Sequence, residues 1–268
     1  MSEQFERTFP DWGRESGQFG GIGIDPLEAA VNRGAVNAFY RTGRVLYVDG
    51  FEEGLSPWRQ ELAQTGAIAN ATDFSFFGSR SVLLTPDNTP GSTDPVFIAK
   101  DIPYIRDGLY GVEFAFCWAA DGVGTPGYFA FSFRVYDGTN ENEFIIYFDH
   151  ELGGNAPRIQ LFDGAVFTTL VANLPGFVIN HPGTLATRPR FFHIAKLVVD
   201  SSPSPPTFKY LRHNGNIYDL SSYGPQITAN AQAPSLEARA IAFSETAQIG
   251  IYVDNAIVTI DELDRQFE

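Results

Sequence analysis

The stretches LYGVEFAFCW (residues 109–118), YFAFSFRVY (128–136) and EFIIYFD (143–149) alternate large apolar side chains with small or polar ones. Alternation with a period of two places every second side chain on the same face of a β-strand. One face of these segments carries mainly phenylalanine, whereas the opposite faces carry Glu113, Ser132, Arg134, Tyr136 and Tyr147. The pattern predicts three strands, each with one buried and one polar face.

The same alternation predicts further strands on both sides of this region. Their ranges are Val45–Val48, Ser81–Thr85, Val96–Lys100, Arg158–Phe162, Val166–Val171, Phe191–Asp200, Thr207–Arg212, Asn216–Leu220, Leu236–Phe243 and Gln248–Ile260. Asp137-Gly138, Asp163-Gly164 and Asn214-Gly215 are turn signals between strands, and the proline-rich residues 201–206 predict a loop. Many strands without alternating helices indicate an all-β, antiparallel sandwich or barrel.

Residues 1–44 show neither helical nor strand periodicity, apart from a short helix predicted over 26–33 by Asp25, Pro26 and Gly34. This segment is too sparse in apolar residues to bury its own aromatic rings. We therefore predict an extended N-terminal arm that docks on another protein, with a flexible tail as the alternative. The arm's six aromatic residues, which we expect to bind the partner, are Phe5, Phe9, Trp12, Phe19, Phe39 and Tyr40. Residues 45–260 are predicted to form the β domain, and 261–268 a short C-terminal tail.

Composition excludes several classes of function. The 268 residues include 18 basic and 32 acidic side chains, a net charge of −14, which argues against a nucleic-acid partner. No apolar run approaches the ~20 residues of a membrane-spanning helix, so no membrane partner is expected. The first seven residues carry no signal peptide, and a single cysteine, Cys117, excludes a disulfide framework and a cysteine-based zinc site.

Four motifs resemble those of concanavalin-like and carbohydrate-binding jelly rolls. FEEGLSPW (51–58) and GSRSVLL (78–84) are similar to the opening of such domains, and YVDNAIV (252–258) is similar to their closing strand. Residues 192–200, followed by 210–220, resemble the laminin-G type segment in which a strand leads into a hairpin. The resemblance implies an antiparallel two-sheet jelly-roll sandwich over residues 45–260. It implies no particular function, because this fold carries lectins, hydrolases and structural modules.

The resemblance also implies two kinds of binding site. In the resembled modules a structural calcium ties the first strand to the last, which implies Glu52 and Asp254 as ligands, with Asp49 and Glu53 close enough to help. The alternative is that these acids cap turns and face water. Sugar binding requires aromatic platforms on the polar side of the concave sheet. The residues that alternation places there are Tyr128, Arg134, Tyr136 and Tyr147, with a surface-filling role as the alternative.

The sequence lacks the residues that catalysis would need. Jelly-roll endoglucanases use an E-x-D-x-x-E strand, whereas Glu143 and Asp149 have no third acid and are interpreted as solvated strand ends. The acids of residues 262–268 are misspaced and are interpreted as a solvated tail. The histidines are far apart in sequence and predict no cluster; they are His150, His181, His193 and His213. We therefore expect a protein that is not an enzyme and requires no cofactor; any calcium that it binds would be structural.

A narrower resemblance concerns virion proteins of tailed bacteriophages, in which an arm ending in a segment such as RTGRVLYVD (41–49) leads into the same kind of jelly roll. It implies a virion structural protein, a capsid decoration (cement) or tail accessory protein, made in the host cytoplasm and displayed on the virion surface. Its arm would bind other capsid or tail proteins, and it would form a homo-oligomer. The alternative is a carbohydrate-binding module that recognises a cell-surface or plant polysaccharide.

Overall fold

The structure is a computed structural model that describes residues 43–62, 65–76, 78–86, 95–119, 127–150, 158–164, 166–172, 192–244 and 250–264. These segments contain β-strands and no helix. The strands are β1 (Arg44–Asp49), β2 (Arg59–Glu61), β3 (Ala67–Ala71), β4 (Ser81–Thr85), β5 (Val96–Pro103), β6 (Leu109–Ala119), β7 (Gly127–Tyr136), β8 (Asn140–His150), β9 (Arg158–Asp163), β10 (Val166–Val171), β11 (His193–Asp200), β12 (Thr207–His213), β13 (Asn216–Asp219), β14 (Gln226–Ala229), β15 (Ser235–Ser244) and β16 (Gly250–Ile260).

The strands form two antiparallel sheets of eight strands each. The first sheet has the order β13-β12-β11-β6-β16-β4-β3, and β1 pairs with β16 beside β4. The second sheet has the order β10-β9-β8-β7-β15-β5-β2, and β14 pairs with β8. This arrangement confirms the two-sheet sandwich predicted from the sequence.

The core is a layer of aromatic rings between the two sheets. Phe116 of β6 stacks on Phe129 of β7 with ring centroids 4.1 Å apart, and Phe114 lies 5.9 Å from Phe131. All four side chains are fully buried, as the period of two predicts. Each such ring contributes roughly 1.5–3 kcal/mol on burial, so the aromatic content holds the sheets together.

Three predicted turns are confirmed by their backbone conformations. Gly138 has a φ of 94°, and the Asp137 N–H donates to the Asn140 carbonyl at 3.1 Å, which closes the β7–β8 hairpin. Asn214 and Gly215 have φ values of 47° and 91°, as a type I′ turn requires. Gly164 is also left-handed, at 61°, and the predicted loop at residues 201–206 is present between β11 and β12.

The prediction that the acids after β16 are solvated is wrong for Glu262. Its carboxylate Oε1 lies 2.6 Å from Lys196 Nζ, and the Thr259 hydroxyl also donates to it. The side chains of Lys196 and Glu262 are 4% and 0% exposed. This buried ion pair fastens the segment after β16 to β11.

Several predictions concern residues outside the described segments. These residues include the whole helix predicted over 26–33 and the arm aromatics Phe5, Phe9, Trp12, Phe19, Phe39 and Tyr40. No helix in the described segments is long and apolar enough to cross a membrane.

Candidate functional site

The side chains of the second sheet that alternate with its core residues form one surface, which we call the outer face. Strand register sets these side chains in rows across β15, β7 and β8. The rows, in that strand order, are Phe243, Tyr128 and Asp149; Ile241, Ala130 and Tyr147; Arg239, Ser132 and Ile145; Glu237, Arg134 and Glu143; and Ser235, Tyr136 and Glu141. One end is therefore aromatic and the middle is charged.

Arg134 stands at the centre of an ion-pair network in the middle of the outer face. Its Nη1 lies 2.7 Å from Glu141 Oε1, and its Nε donates to Glu143 Oε1 at 2.8 Å. Burial disfavours the guanidinium charge, but the hydrogen bond and negative charge of Glu143 outweigh burial and raise the pKa of Arg134 above its ordinary value. In the neighbouring row, burial disfavours the charged form of the Tyr136 hydroxyl and so raises its pKa above the ordinary value.

Glu237 extends the network to β2 and β15. Arg59 Nη2 donates to Glu237 Oε2 at 2.6 Å, and Arg239 Nε donates to Glu237 Oε1. The Arg239 guanidinium also lies over the Phe97 ring, 4.7 Å from its centroid. Beside Arg239, the Ser132 Oγ is fully buried and has no hydrogen-bond partner among the described residues. The charged groups in the middle of the outer face are thus held in fixed positions.

Aromatic rings occupy the other end of the outer face. Tyr147 packs against Phe243 at 5.9 Å and edge-on against Phe167 at 5.0 Å, and Phe162 contacts Phe167 at 5.1 Å. Burial, together with the negative charge of Glu143, raises the pKa of the Tyr147 hydroxyl to about 12. Phe167 itself is 57% exposed, so this aromatic cluster reaches solvent.

The four predicted sugar-site residues, Tyr128, Arg134, Tyr136 and Tyr147, all lie on the outer face. Sequence reasoning missed the groups that β15 brings beside them, mainly the acceptor Glu237, the donor Arg239 and the ring of Phe243. The alternation of Leu236–Phe243 signals a strand with these residues on its polar face. It does not reveal that the strand pairs with β7, since register between distant segments is not a local property.

The interpretation of Glu143 and Asp149 as solvated strand ends is wrong. Asp149 is fully buried and Glu143 is 9% exposed. Arg158 Nε donates to Asp149 Oδ2 at 2.5 Å, as Arg134 does to Glu143. Each carboxylate is therefore half of an ion pair between neighbouring strands.

The two acids implied as calcium ligands both accept hydrogen bonds from the loop between β3 and β4. Glu52 accepts the N–H groups of Ser79 and Arg80 at 2.7 and 3.0 Å, and Asp254 accepts the N–H of Phe76 at 2.7 Å. Burial favours a higher pKa for Glu52, but the hydrogen bonds from Ser79 and Arg80 prevail and lower it. The loop thus connects the segment after β1 with β16.

The donor chemistry of this region fits calcium in part. Asn255, next to Asp254, is fully buried at a β-bulge, and neither atom of its amide has a partner within the described segments. An amide oxygen and carboxylates are ligands that calcium accepts. The described residues hold no group of three or more His, Cys, Asp or Glu side chains that could bind a metal, so amide and backbone oxygens would have to complete the shell.

Two histidines meet in the core, which their sequence spacing did not predict. The rings of His193 and His213 stack with centroids 5.3 Å apart, and His193 Nδ1 lies 3.3 Å from His213 Nε2. Phe148 packs against His213 at 5.1 Å. Burial, with a further contribution from His193, lowers the pKa of His213 to about 3, so His213 is neutral near pH 7.

No protein-family model matches the chain, and no curated protein matches it. The similar solved structures include a cellulose-induced protein, Cip1, with 12% identity and a TM-score of 0.50 over 82% of this chain and 100% of that chain. An endo-β-1,4-glucuronan lyase from the fungus Trichoderma reesei shows 15% identity and a TM-score of 0.49 over 85% and 97%. A carbohydrate esterase from the Shiga toxin-encoding bacteriophage phi24B shows 13% identity and a TM-score of 0.47 over 82% and 100%.

At these identities the likeness concerns the fold. Together with the two-sheet topology, it confirms the concanavalin-like jelly roll that the sequence motifs predicted. The fold alone does not decide between catalysis and binding. The resemblance to bacteriophage virion proteins stays a prediction.

Proposed function

We propose that the protein binds a carbohydrate on the outer face of the second sheet. The observation that carries this proposal is the combination, on one surface, of an exposed aromatic cluster with ordered hydrogen-bonding groups. A pyranose ring has an apolar face that packs on aromatic rings and a rim of hydroxyl groups that needs donors and acceptors. Tyr147 and Phe243 offer the rings, and the network around Arg134 offers the polar partners.

The ion pairs support binding because they fix the polar groups before a ligand arrives. Arg134 and Arg239 are each held by two or more carboxylates, so their guanidinium planes are oriented. Groups that are already ordered lose less entropy on binding than free side chains do.

The charge of the outer face favours an uncharged glycan. Its described strands carry four guanidinium groups, and the opposing carboxylates are six: Glu61, Asp101, Glu141, Glu143, Asp149 and Glu237. A polyuronate would face a surface with a surplus of negative charge and arginines that are already paired. Hydroxyl groups, by contrast, can donate to carboxylates without charge repulsion.

Calorimetric titration with neutral polysaccharides and polyuronates tests the proposal. We expect the protein to bind a neutral glycan and the Tyr147→Ala variant to bind it about tenfold more weakly, because a stacking ring is lost. Tyr218→Ala is the matched control, since Tyr218 is a half-buried tyrosine of the first sheet. Equal affinities of the two variants would place the ligand elsewhere, and a protein that binds no glycan would refute the proposed function.

The virion structural role remains a second proposal and is compatible with glycan binding. It depends on the arm of residues 1–44, nearly all of which lies outside the described segments. Contact with capsid or tail proteins, a homo-oligomeric state and a position on the virion surface are all parts of this proposal.

A further inference from the structure

A groove of about 340 Å³ lies at the end of the sandwich where β7 turns into β8. It is bordered by the β5–β6 loop, the β7–β8 turn, the β11–β12 loop and the residue that precedes β15. Among the lining residues that form its walls are Tyr104, Asp107, Tyr136, Asp137, Ser201 and Pro234. Tyr136 belongs to both this groove and the outer face, so the two surfaces adjoin.

Hydrogen bonds between loops hold one wall of the groove. The Ser201 N–H donates to the Gly108 carbonyl at 3.0 Å, and the Gly108 N–H donates to Ser201 Oγ at 3.1 Å. The Tyr104 hydroxyl donates to Asp107 and lies 3.4 Å from Ser201 Oγ. Because the β5–β6 and β11–β12 loops are joined in this way, the groove exists before any ligand binds.

The β7–β8 turn holds the opposite wall. Asp137 Oδ1 accepts the N–H groups of Thr139 and Asn140 at 2.8 and 2.6 Å, and Oδ2 accepts the Asn142 amide at 3.2 Å. Burial acts to raise the pKa of Asp137, but these hydrogen bonds lower it below its ordinary value. Asp137 is therefore a fixed, ionised acceptor at the edge of the groove.

The chemistry of the walls suits an uncharged sugar unit. The rings of Tyr104 and Tyr136 and those of Pro203, Pro206 and Pro234 provide apolar surfaces. The serine hydroxyls and two carboxylates accept hydrogen bonds from ligand hydroxyl groups. No Lys, Arg or His occurs among the lining residues that the structure describes, so an acidic sugar would find no counter-charge there. The volume is at the lower end of the range for small-molecule sites, which suits a single sugar unit better than a chain.

We propose that this groove is a separate subsite, which binds one uncharged sugar unit at the Tyr136 end of a glycan whose other units lie on the outer face. The inference rests on the proposed function. It predicts that affinity depends on the length of the glycan. A glycan bound at the aromatic cluster around Tyr147 must extend beyond Tyr136 to reach the groove. Tyr147 and Tyr136 are six residue positions apart along the paired strands, roughly 20 Å at 3.3 Å per residue.

The test measures the affinity of the full-length protein for oligosaccharides of graded length. The neutral series are, for example, cello-, xylo- and galacto-oligosaccharides, and the acidic series is made of oligouronates. Ser202→Trp fills the groove from an exposed position of the β11–β12 loop, and Ser204→Trp is a second filling variant. Ser221→Trp is the matched control, an exposed serine after β13. We expect the longest oligosaccharides to bind both groove variants about tenfold more weakly than they bind the control, and the shortest to bind all three alike.

The outcomes separate the two proposals. If the groove variants bind every length as the control does, the groove is not a subsite, while binding on the outer face stands. If affinity increases with added uronate units and Ser202→Trp removes that increase, the proposal that the groove binds an uncharged sugar is wrong. If the unmodified protein binds no oligosaccharide of any length, both proposals fail.

Discussion

Glu143 and Asp149 illustrate how single side chains on the outer face favour binding over catalysis. A glycosidase needs one carboxyl group that carries a proton to the leaving oxygen and a second that attacks or activates water. Here each carboxylate is engaged by an arginine, Arg134 or Arg158. We therefore expect no turnover on a broad polysaccharide panel, measured as new reducing ends or unsaturated products. Turnover that disappears in Glu143→Gln or Asp149→Asn would contradict this expectation.

The buried pair of His193 and His213 predicts a loss of stability in acid. The pKa of His213 is about 3 in the folded protein, against about 6.5 when unfolded. Between these values the unfolded state binds more protons, so the stabilisation is complete above about pH 6.5 and is lost as pH falls toward 3. We expect the free energy of unfolding to fall by roughly 2–3 kcal/mol between pH 7 and pH 4 from this group.

Denaturant unfolding of the His213→Phe variant isolates this contribution. Apart from His193, which contacts His213, the other titrating groups act alike in both proteins, so the difference between their pH profiles reports the histidine pair. Parallel profiles for the variant and the unmodified protein would show that His213 titrates normally.

At the residue scale, the sequence predicts which face a side chain occupies but not which partner it meets. The period of two correctly placed Tyr128, Arg134, Tyr136 and Tyr147 on one polar face. Their partners come from distant segments: Arg59 and Glu237, which share an ion pair, are 178 residues apart. Local periodicity contains no information on such pairing, and for the same reason the contact between the two histidines was missed.

At the scale of elements, strands with an apolar face were predictable and short polar ones were not. Every strand predicted from alternation is present within the described ranges. The three that were missed are β2 (RQE), β3 (AIANA) and β14 (QITA), whose residues are mostly exposed. These strands are defined by the neighbour to which they hydrogen-bond rather than by a buried face, so their own sequences carry little signal.

The loop that joins the segment after β1 to β16 is where bound calcium would stabilise the fold. We expect Ca²⁺ to raise the unfolding midpoint, by an amount equivalent to about 2.7 kcal/mol at a hundredfold excess over its dissociation constant. Thermal unfolding with and without chelator measures this shift. Glu52→Gln should abolish it, and Asp101→Asn, a change at an exposed acid of β5, should not. An unfolding midpoint that does not change with chelator would show that calcium does not stabilise the fold.

At the scale of the whole molecule, the arm can be tested separately from the sandwich. All described strands begin at or after Arg44, so deletion of residues 1–40 leaves them intact. We expect the truncated protein to unfold at an unchanged temperature, to lose its self-association in sedimentation and to fail to join a virion. If the truncated protein instead misfolds, the arm is part of the core of the domain.

The position of β16 affects how the protein can be made. This strand lies in the middle of the first sheet, with β6 on one side and β1 and β4 on the other, yet it follows all of them in sequence. During synthesis the apolar strand β6 lacks its neighbour β16 until about 130 further residues have been made. Unpaired edges of this kind invite aggregation while a chain is still on the ribosome. Yield in a cell should therefore depend on translation speed and on the supply of chaperones that shield nascent chains.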